Sequence, residues 1–327
     1  MKQSFIFCGA IIALVCRYCG MNYMQEMKLH PGDLVALTAT ARKVSPVEIE
    51  PAVRLFELWG LRVLVPNGLY EEDNQFAGND DHRAAMMQSL IDNDDVRAIF
   101  CVRGGYGTVR IVDKIDFSRL VTNPKWVVGY SDVTVLHSHI GCNLGVPTLH
   151  ATMPLNIPAD ACSVQYPATE SLRQMLFEGK LHYEFEYDGD VSNRTGTCYA
   201  PLVGGNLSVL YSLLGSESDI DTEGKILLIE DLDEYLYHID RMMMALKRAG
   251  KLCGLRGLLV GAMSDMHDNA VPFGRSAEQI VLDAVADYNY PVAFHCPFGH
   301  IGTENRALPL GVEVDVKVTE NNITIDV

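Results

Sequence analysis

With 327 residues, 48% of them hydrophobic, the chain is long enough to bury a full core in two domains and too apolar to be disordered. Its formal net charge of -16 argues against nucleic acid and against stable association with an anionic membrane, because both partners are held through basic surface. A small molecule or peptide is the better match.

Lys2 followed by the apolar run Phe5 to Cys16 has the look of a secretory signal, but Arg17 and Tyr18 close it, no Ala-x-Ala site follows, and the run is too short to span a bilayer. Residues 1–27 are read as an extension outside the fold, with Met24 and Met27 as alternative starts. The expected location is the cytoplasm, or the periplasm if residues 1–23 act as a signal. The nine cysteines are odd in number and lack both CxxC repeats and metal spacing; several, such as Cys101, sit in apolar runs. This points to reduced thiols.

From Pro31 onward, strands and helices alternate. Strand-like runs at Leu34–Thr40, Leu61–Val65, Val96–Val102 and Trp126–Val128 are separated by helical spacing at Val47–Trp59, Asp80–Asn93 and Thr108–Ile115, with another helix at Asp132–Ile140. Short apolar strands alternating with helices predict a parallel sheet covered on both faces, whose ligands sit beyond the carboxyl ends of its strands. The first domain is placed at 28–160. A proline-interrupted connection at 161–195 contains a short helix, Glu170–Phe177, and a strand, His182–Tyr187.

The second domain, 196–327, has strands at Tyr199–Val203, Lys225–Ile229, Gly257–Met263 and Pro291–His295, then a strand pair at Val312–Val318 and Asn322–Val327. Its helices are expected at Asn206–Leu214, Tyr237–Ala249 and Ser276–Tyr288.

Four places carry possible chemistry. The run from Trp126 to Val135 reads as strand, sharp turn, helix, with Ser131 at the turn. Gly129 matches the Gly-x-Ser-x-Gly elbow of serine hydrolases, but Val133 stands where the second glycine belongs, and Ser131 also reads as a simple helix cap. Arg103-Gly-Gly-Tyr-Gly107 lacks phosphate-loop spacing; it is a tight turn or a source of backbone amides for a developing negative charge. Glu230, directly after four apolar residues, is a half-buried carboxylate that either caps the next helix or does chemistry, while Asp231, Asp233 and Glu234 read as a solvated loop.

His300, between Gly299 and Gly302, is an accessible loop imidazole; a metal site from His295, Cys296 and His300 has no supporting spacing. Ser131, Glu230 and His300 occur in the order nucleophile, acid, base, each beyond a strand.

The span from Pro31 onward resembles the LD-carboxypeptidase family of serine peptidases, which includes muramoyltetrapeptide carboxypeptidases and microcin C immunity peptidases. The matching blocks are Phe-Ala-Gly-Asn-Asp at 76–80, Arg-Gly-Gly-Tyr-Gly at 103–107, Gly-Tyr-Ser-Asp at 129–132, Gly-Gly-Asn-Leu at 204–207, Ile-Glu-Asp-Leu-Asp-Glu at 229–234, Ile-Asp-Arg-Met at 239–242, Phe-Gly-His at 298–300 and Leu-Pro-Leu-Gly at 308–311.

The resemblance implies Ser131 as nucleophile, His300 as base and then acid, and Glu230 as its orienting carboxylate. It implies an oxyanion hole from the backbone amides of Asp132 and Gly105, with Gly104 as second choice for the latter. It further implies a glutamine-amidotransferase-like first domain, a swivelling β/α second domain, no metal or other cofactor, and a homodimer. The expected substrate is a murein tetrapeptide with diaminopimelate or lysine at its third position. A peptidyl-nucleotide antibiotic is the rival substrate, and a two-lobed binding protein without turnover the rival class. Arg103 and Asn206 are candidates for holding the substrate's terminal carboxylate. The chain departs from the family at Ala151-Thr152, where Gly-Pro is common, and at Thr38-Ala39-Thr40-Ala41, where the family has Ala-Pro-Ser or Ala-Pro-Ala.

Overall fold

A computed structural model describes residues 23–187 and 193–327; the signal-like run of residues 1–22 lies outside them. The first sheet contains β1 (Leu34–Thr38), β2 (Arg62–Leu64), β3 (Val96–Cys101), β4 (Trp126–Gly129) and β5 (Thr148–His150), all parallel, and ends on an antiparallel edge strand, β11 (Leu308–Leu310). The strand order is β11-β5-β4-β3-β1-β2.

The side-chain period of two shows why this sheet needs cover on both faces. Val35, Leu37, Phe100, Trp126 and Val128 pack into one apolar cluster, whereas the alternate residues Ala36, Ile99, Cys101 and Val127 pack into another. Helices α1 (Pro46–Leu58), α2 (Asp80–Asp92), α3 (Arg119–Thr122) and α4 (Thr134–Leu144) connect the strands. The helix expected at Thr108–Ile115 is instead two short 3₁₀ turns, Thr108–Arg110 and Val112–Lys114.

The second sheet runs β10-β9-β8-β7-β12-β13-β6. Its parallel half is β7 (Gly196–Asn206), β8 (Ile226–Leu232), β9 (Gly257–Ser264) and β10 (Val292–Ala293); its antiparallel half is β12 (Glu313–Val318), β13 (Asn322–Asp326) and β6 (His182–Glu186). Helices α5 (Pro167–Glu178), α6 (Leu207–Leu213), α7 (Leu236–Arg248) and α8 (Ala277–Ala284) complete the elements.

The mixed α/β fold with two sheets matches the expectation, but the division between halves is less clean. The stretch read as a connection supplies α5 and the edge strand β6, and β11 from the second half closes the first sheet. One apolar cluster takes in Phe100 and Leu149 of the first sheet, Leu310 of β11, and Leu202, Leu228 and Val260 of the second sheet. At the amino end, Met24 and Met27 are buried in that cluster, so packing begins inside the span read as an extension.

Two strand ends also shift. β7 runs through Gly204 and Gly205 to Asn206 instead of stopping at Val203. A Cβ on Gly204 would come within 2.0 Å of the Leu228 carbonyl oxygen, and one on Gly205 within 2.5 Å of Thr134 Oγ1, so these glycines permit β8 and α4 to press against β7. β8 continues past Glu230, with a register irregularity against β9 between Ile229 and Asp231.

Candidate active site

Ser131 is forced out of the chain at the end of β4. Its φ of 63° is left-handed, a conformation that costs a non-glycine residue of order 1–3 kcal/mol and is common where strain serves a site. Val133, at the position of the elbow's second glycine, is fully buried and its methyls fill the space over Gly129; a Cβ on Gly129 would lie 2.8 Å from Val133 Cγ2. One glycine of the elbow thus suffices, because the bulk at 133 occupies what a side chain at 129 would need. Ser131 is the first residue of the turn it opens, whose cap position is Tyr130, and the cap position of α4 is Val133, so the capping role does not describe it.

Glu230 and His300 arrive from the second sheet. Ser131 Oγ donates to His300 Nε2 at 3.1 Å, and His300 Nδ1 donates to Glu230 Oε2 at 2.6 Å. Glu230 is fully buried and the His300 side chain is 13% exposed. Gly299, with φ 99°, gives Glu230 its room, since a Cβ there would stand 2.3 Å from Glu230 Oε2. Burial acts to lower the His300 pKa, but the hydrogen bond and charge of Glu230, with the charge of Asp231 beside it, outweigh that, and the net shift is upward. The imidazole packs against Tyr130, ring centroids 4.9 Å apart.

Asp231 is not solvated, contrary to the sequence reading. It is buried and accepts from Asn206 Nδ2 (3.0 Å), Ser208 N (2.8 Å) and Leu232 N (2.9 Å). Burial, then the neighbouring Glu230 charge, push its pKa up to about 6. Asp233, by contrast, is exposed.

Asn206 is likewise committed within the protein. Its amide nitrogen donates to Asp231 and its amide oxygen accepts from Ser208 Oγ (2.8 Å) and Val209 N (3.2 Å), capping α6. Arg103 is half-buried, donates to the Lys43 carbonyl (3.1 Å) and sits 3.9 Å from Glu48. His295 lies 3.4 Å from Glu278, apart from the His300 chain.

The Gly-rich loop after β3 is drawn up to the serine by buried polar contacts. Asp132, itself buried, accepts from Thr108 N at 2.9 Å, and the Thr108 hydroxyl donates to Thr40 Oγ1 at 2.9 Å. Arg83, with no exposure, donates to the carbonyls of Thr40 (2.5 Å) and Gly107 (3.0 Å) and pairs with Asp80. Gly104 is thereby held on Ser131; a Cβ there would be 3.2 Å from Ser131 Oγ and 3.5 Å from Asp132 N. Gly105, with φ 110°, is exposed and faces Arg42. The sequence reading did not single out Asp132 as a loop anchor, nor Arg83 or Arg42, because each acts on residues distant in the chain.

Family models for the LD-carboxypeptidase N-terminal and C-terminal domains match residues 35–151 and 199–316. The chain belongs to the LD-carboxypeptidase family. This family member is 37% identical over 314 residues to a protein of Bacillus subtilis (strain 168) named probable murein peptide carboxypeptidase, the match covering 94% of this chain and 95% of the relative. Its fold is that of muramoyltetrapeptide carboxypeptidase from Oxalobacter formigenes, with TM-score 0.79 at 24% identity over 90% of this chain and 98% of that one. MccF in complex with glutamyl sulfamoyl guanosine has a TM-score of 0.79 at 20% identity, covering 91% and 97%. At these identities the two structures speak to fold alone.

Proposed function

We propose that this protein is a serine carboxypeptidase that cleaves the amide between an L-centre, diaminopimelate or lysine, and the terminal D-alanine of murein tetrapeptides. The observation that carries the reading is the unbroken hydrogen-bond chain from Ser131 Oγ through His300 to the buried Glu230, assembled from both halves of an LD-carboxypeptidase family member. The B. subtilis relative, 37% identical across almost the whole chain, is named for murein peptides.

In this mechanism Ser131 attacks the scissile carbonyl as His300 Nε2 takes its proton, and Glu230 holds the imidazole with Nδ1 protonated and compensates the imidazolium. The backbone amide of Asp132, together with that of Gly105 on the loop whose Gly104 packs on the serine, is the candidate donor pair for the oxyanion. His300 then protonates the leaving D-alanine nitrogen, and water, deprotonated by the same imidazole, releases the acyl group from Ser131. The family reading extends to a glutamine-amidotransferase-like first domain, a second domain that swivels, a homodimer and a cytoplasmic location.

The test is incubation with L-Ala-γ-D-Glu-diaminopimelate-D-Ala and measurement of free D-alanine. Wild type should release it, and Ser131→Ala and His300→Ala should each lose on the order of 10⁶-fold in kcat. Wild type that binds the peptide without releasing D-alanine would overturn the reading in favour of a binding protein.

A further inference from the structure

We propose that Arg42 binds the free carboxylate of the substrate's terminal residue and so restricts the site to chain ends. The assignment rests on the carboxypeptidase reading and adds to it the residue that selects the terminus, a role for which the sequence suggested Arg103 and Asn206.

The placement comes from two neighbouring glycines. Gly104 lies against the Ser131 hydroxyl, and the Arg42 side chain lies across the next residue, where a Cβ on Gly105 would meet Arg42 Cδ at 2.6 Å and Nε at 2.7 Å. Nucleophile and guanidinium therefore flank successive residues of one loop. Adjacent Cα atoms in a trans peptide are about 3.8 Å apart. That is close to the span from a scissile carbonyl carbon, across the amide nitrogen and Cα, to the carboxyl carbon of the leaving residue.

The base of Arg42 is rigid. It forms an antiparallel bridge with Phe76, and on either side Ala77 N donates to Ala41 O (3.1 Å) and Lys43 N to Gln75 O (3.0 Å).

Its charge is also unclaimed. Lys43 pairs with Glu72 at 2.6 Å, Arg103 with Glu48 and the Lys43 carbonyl, and Arg110 with Asp80 at 2.8 Å. Of the cations in the loops that follow β1 and β3, Arg42 alone has no carboxylate or carbonyl partner among the described residues, and it is exposed. A planar guanidinium fork laid against the loop residue next to the one that touches Ser131 can meet a carboxylate with two parallel hydrogen bonds. In a chain of net charge -16, such an unpaired cation is a local exception that an anionic terminus would find.

The experiment compares the tetrapeptide ending in D-alanine with the same peptide ending in D-alaninamide, using wild type, Arg42→Lys and Arg42→Ala. Wild type should prefer the free acid. Arg42→Ala should lose about 10- to 100-fold in kcat/KM on the acid, the loss expected when a charge-assisted hydrogen bond is removed. On the amide it should stay within about threefold of wild type. Arg42→Lys should fall between, keeping the charge but not the fork.

Because the carboxylate leaves with D-alanine, deacylation after the initial burst should keep its wild-type rate. Equal losses on both substrates, or an acid preference that survives Arg42→Ala, would overturn the assignment while leaving the carboxypeptidase reading intact. Wild type that cleaves neither peptide would remove both. Melting temperatures within about 2 °C of wild type would establish that the exposed side chain was lost without damage to the fold.

Discussion

At the scale of single residues, the pH dependence of the site turns on one hydrogen bond. In the proposed mechanism His300 must be neutral to accept the Ser131 proton, and its pKa lies above the ordinary histidine value because Glu230 outweighs the effect of burial. The acidic limb of kcat/KM for the free enzyme should therefore lie above pH 6.5. Glu230→Gln removes the charge that raises the value and leaves the burial that lowers it. The limb should then move to lower pH while kcat falls by about 10⁴-fold. A pH profile of D-alanine release by both proteins checks the sign, and an unmoved limb would mean that it reports some group other than His300.

At the scale of elements, α4 does two jobs. It begins directly after the turn that presents Ser131, and it is the helix through which the first half presses on the second. The Thr134 hydroxyl accepts from Asn206 N at 3.0 Å, His139 Nδ1 lies 2.9 Å from Ser218 Oγ, and Asn143 donates to the Glu217 carbonyl at 2.9 Å. The distance of Ser131, the proposed nucleophile, from His300 thus depends on the contact of α4 with β7, where Gly205 leaves room for Thr134. Gly205→Ala places a methyl in that contact and demands a φ of 140° from an L-residue. A displacement of about 1 Å is enough to cost on the order of 10²-fold in rate, and that is the loss expected in kcat, with far-UV circular dichroism unchanged.

Neither the contact nor its consequence was visible in the sequence. Gly204-Gly205 read as the opening of the helix at Asn206, whereas here they are thin places in a strand that continues to Asn206. Similarly, β5 and β11, at three residues each, are too short to show a period. Ser131, Glu230 and His300 could be singled out because each follows an apolar run and sits beside chemistry-bearing or glycine neighbours. Asp231 misled because an acidic run looks solvated unless its buried partners, Asn206 and Ser208, are known. Arg42 was silent because its meaning lies wholly in its contact with residue 105.

At the scale of the whole molecule, two buried imidazoles contribute to the response to acid. His137 and His150 are both buried, their rings 6.4 Å apart, and His150 also packs on Tyr130, ring centroids 5.9 Å apart. Burial depresses His137 to about 4 and His150 to about 3. A histidine with a lowered folded pKa stays neutral in the native state while its unfolded form takes up a proton. Each therefore costs stability as pH falls from about 6.5 toward the folded value, by up to ~1.4 kcal/mol per pH unit. Asp231 and His300, whose folded values are raised, act in the opposite sense within their own ranges. His150→Leu isolates one contribution: relative to wild type, the variant should gain stability steadily between pH 6.5 and 4. Melting temperatures of the two proteins across that range test it, and a constant difference would show that His150 is not the proton acceptor on unfolding.

The division of the site between the two sheets also bears on how the chain comes off the ribosome. Ser131 is synthesised well before Glu230 and His300, and β11, which closes the sheet that carries the serine, comes later still. On the proposed mechanism, a nascent chain therefore displays a hydroxyl with no imidazole to activate it, and hydrolytic capacity waits for the later segments that carry Glu230 and His300. The topology itself would thus withhold the proposed peptidase activity until both sheets have folded together.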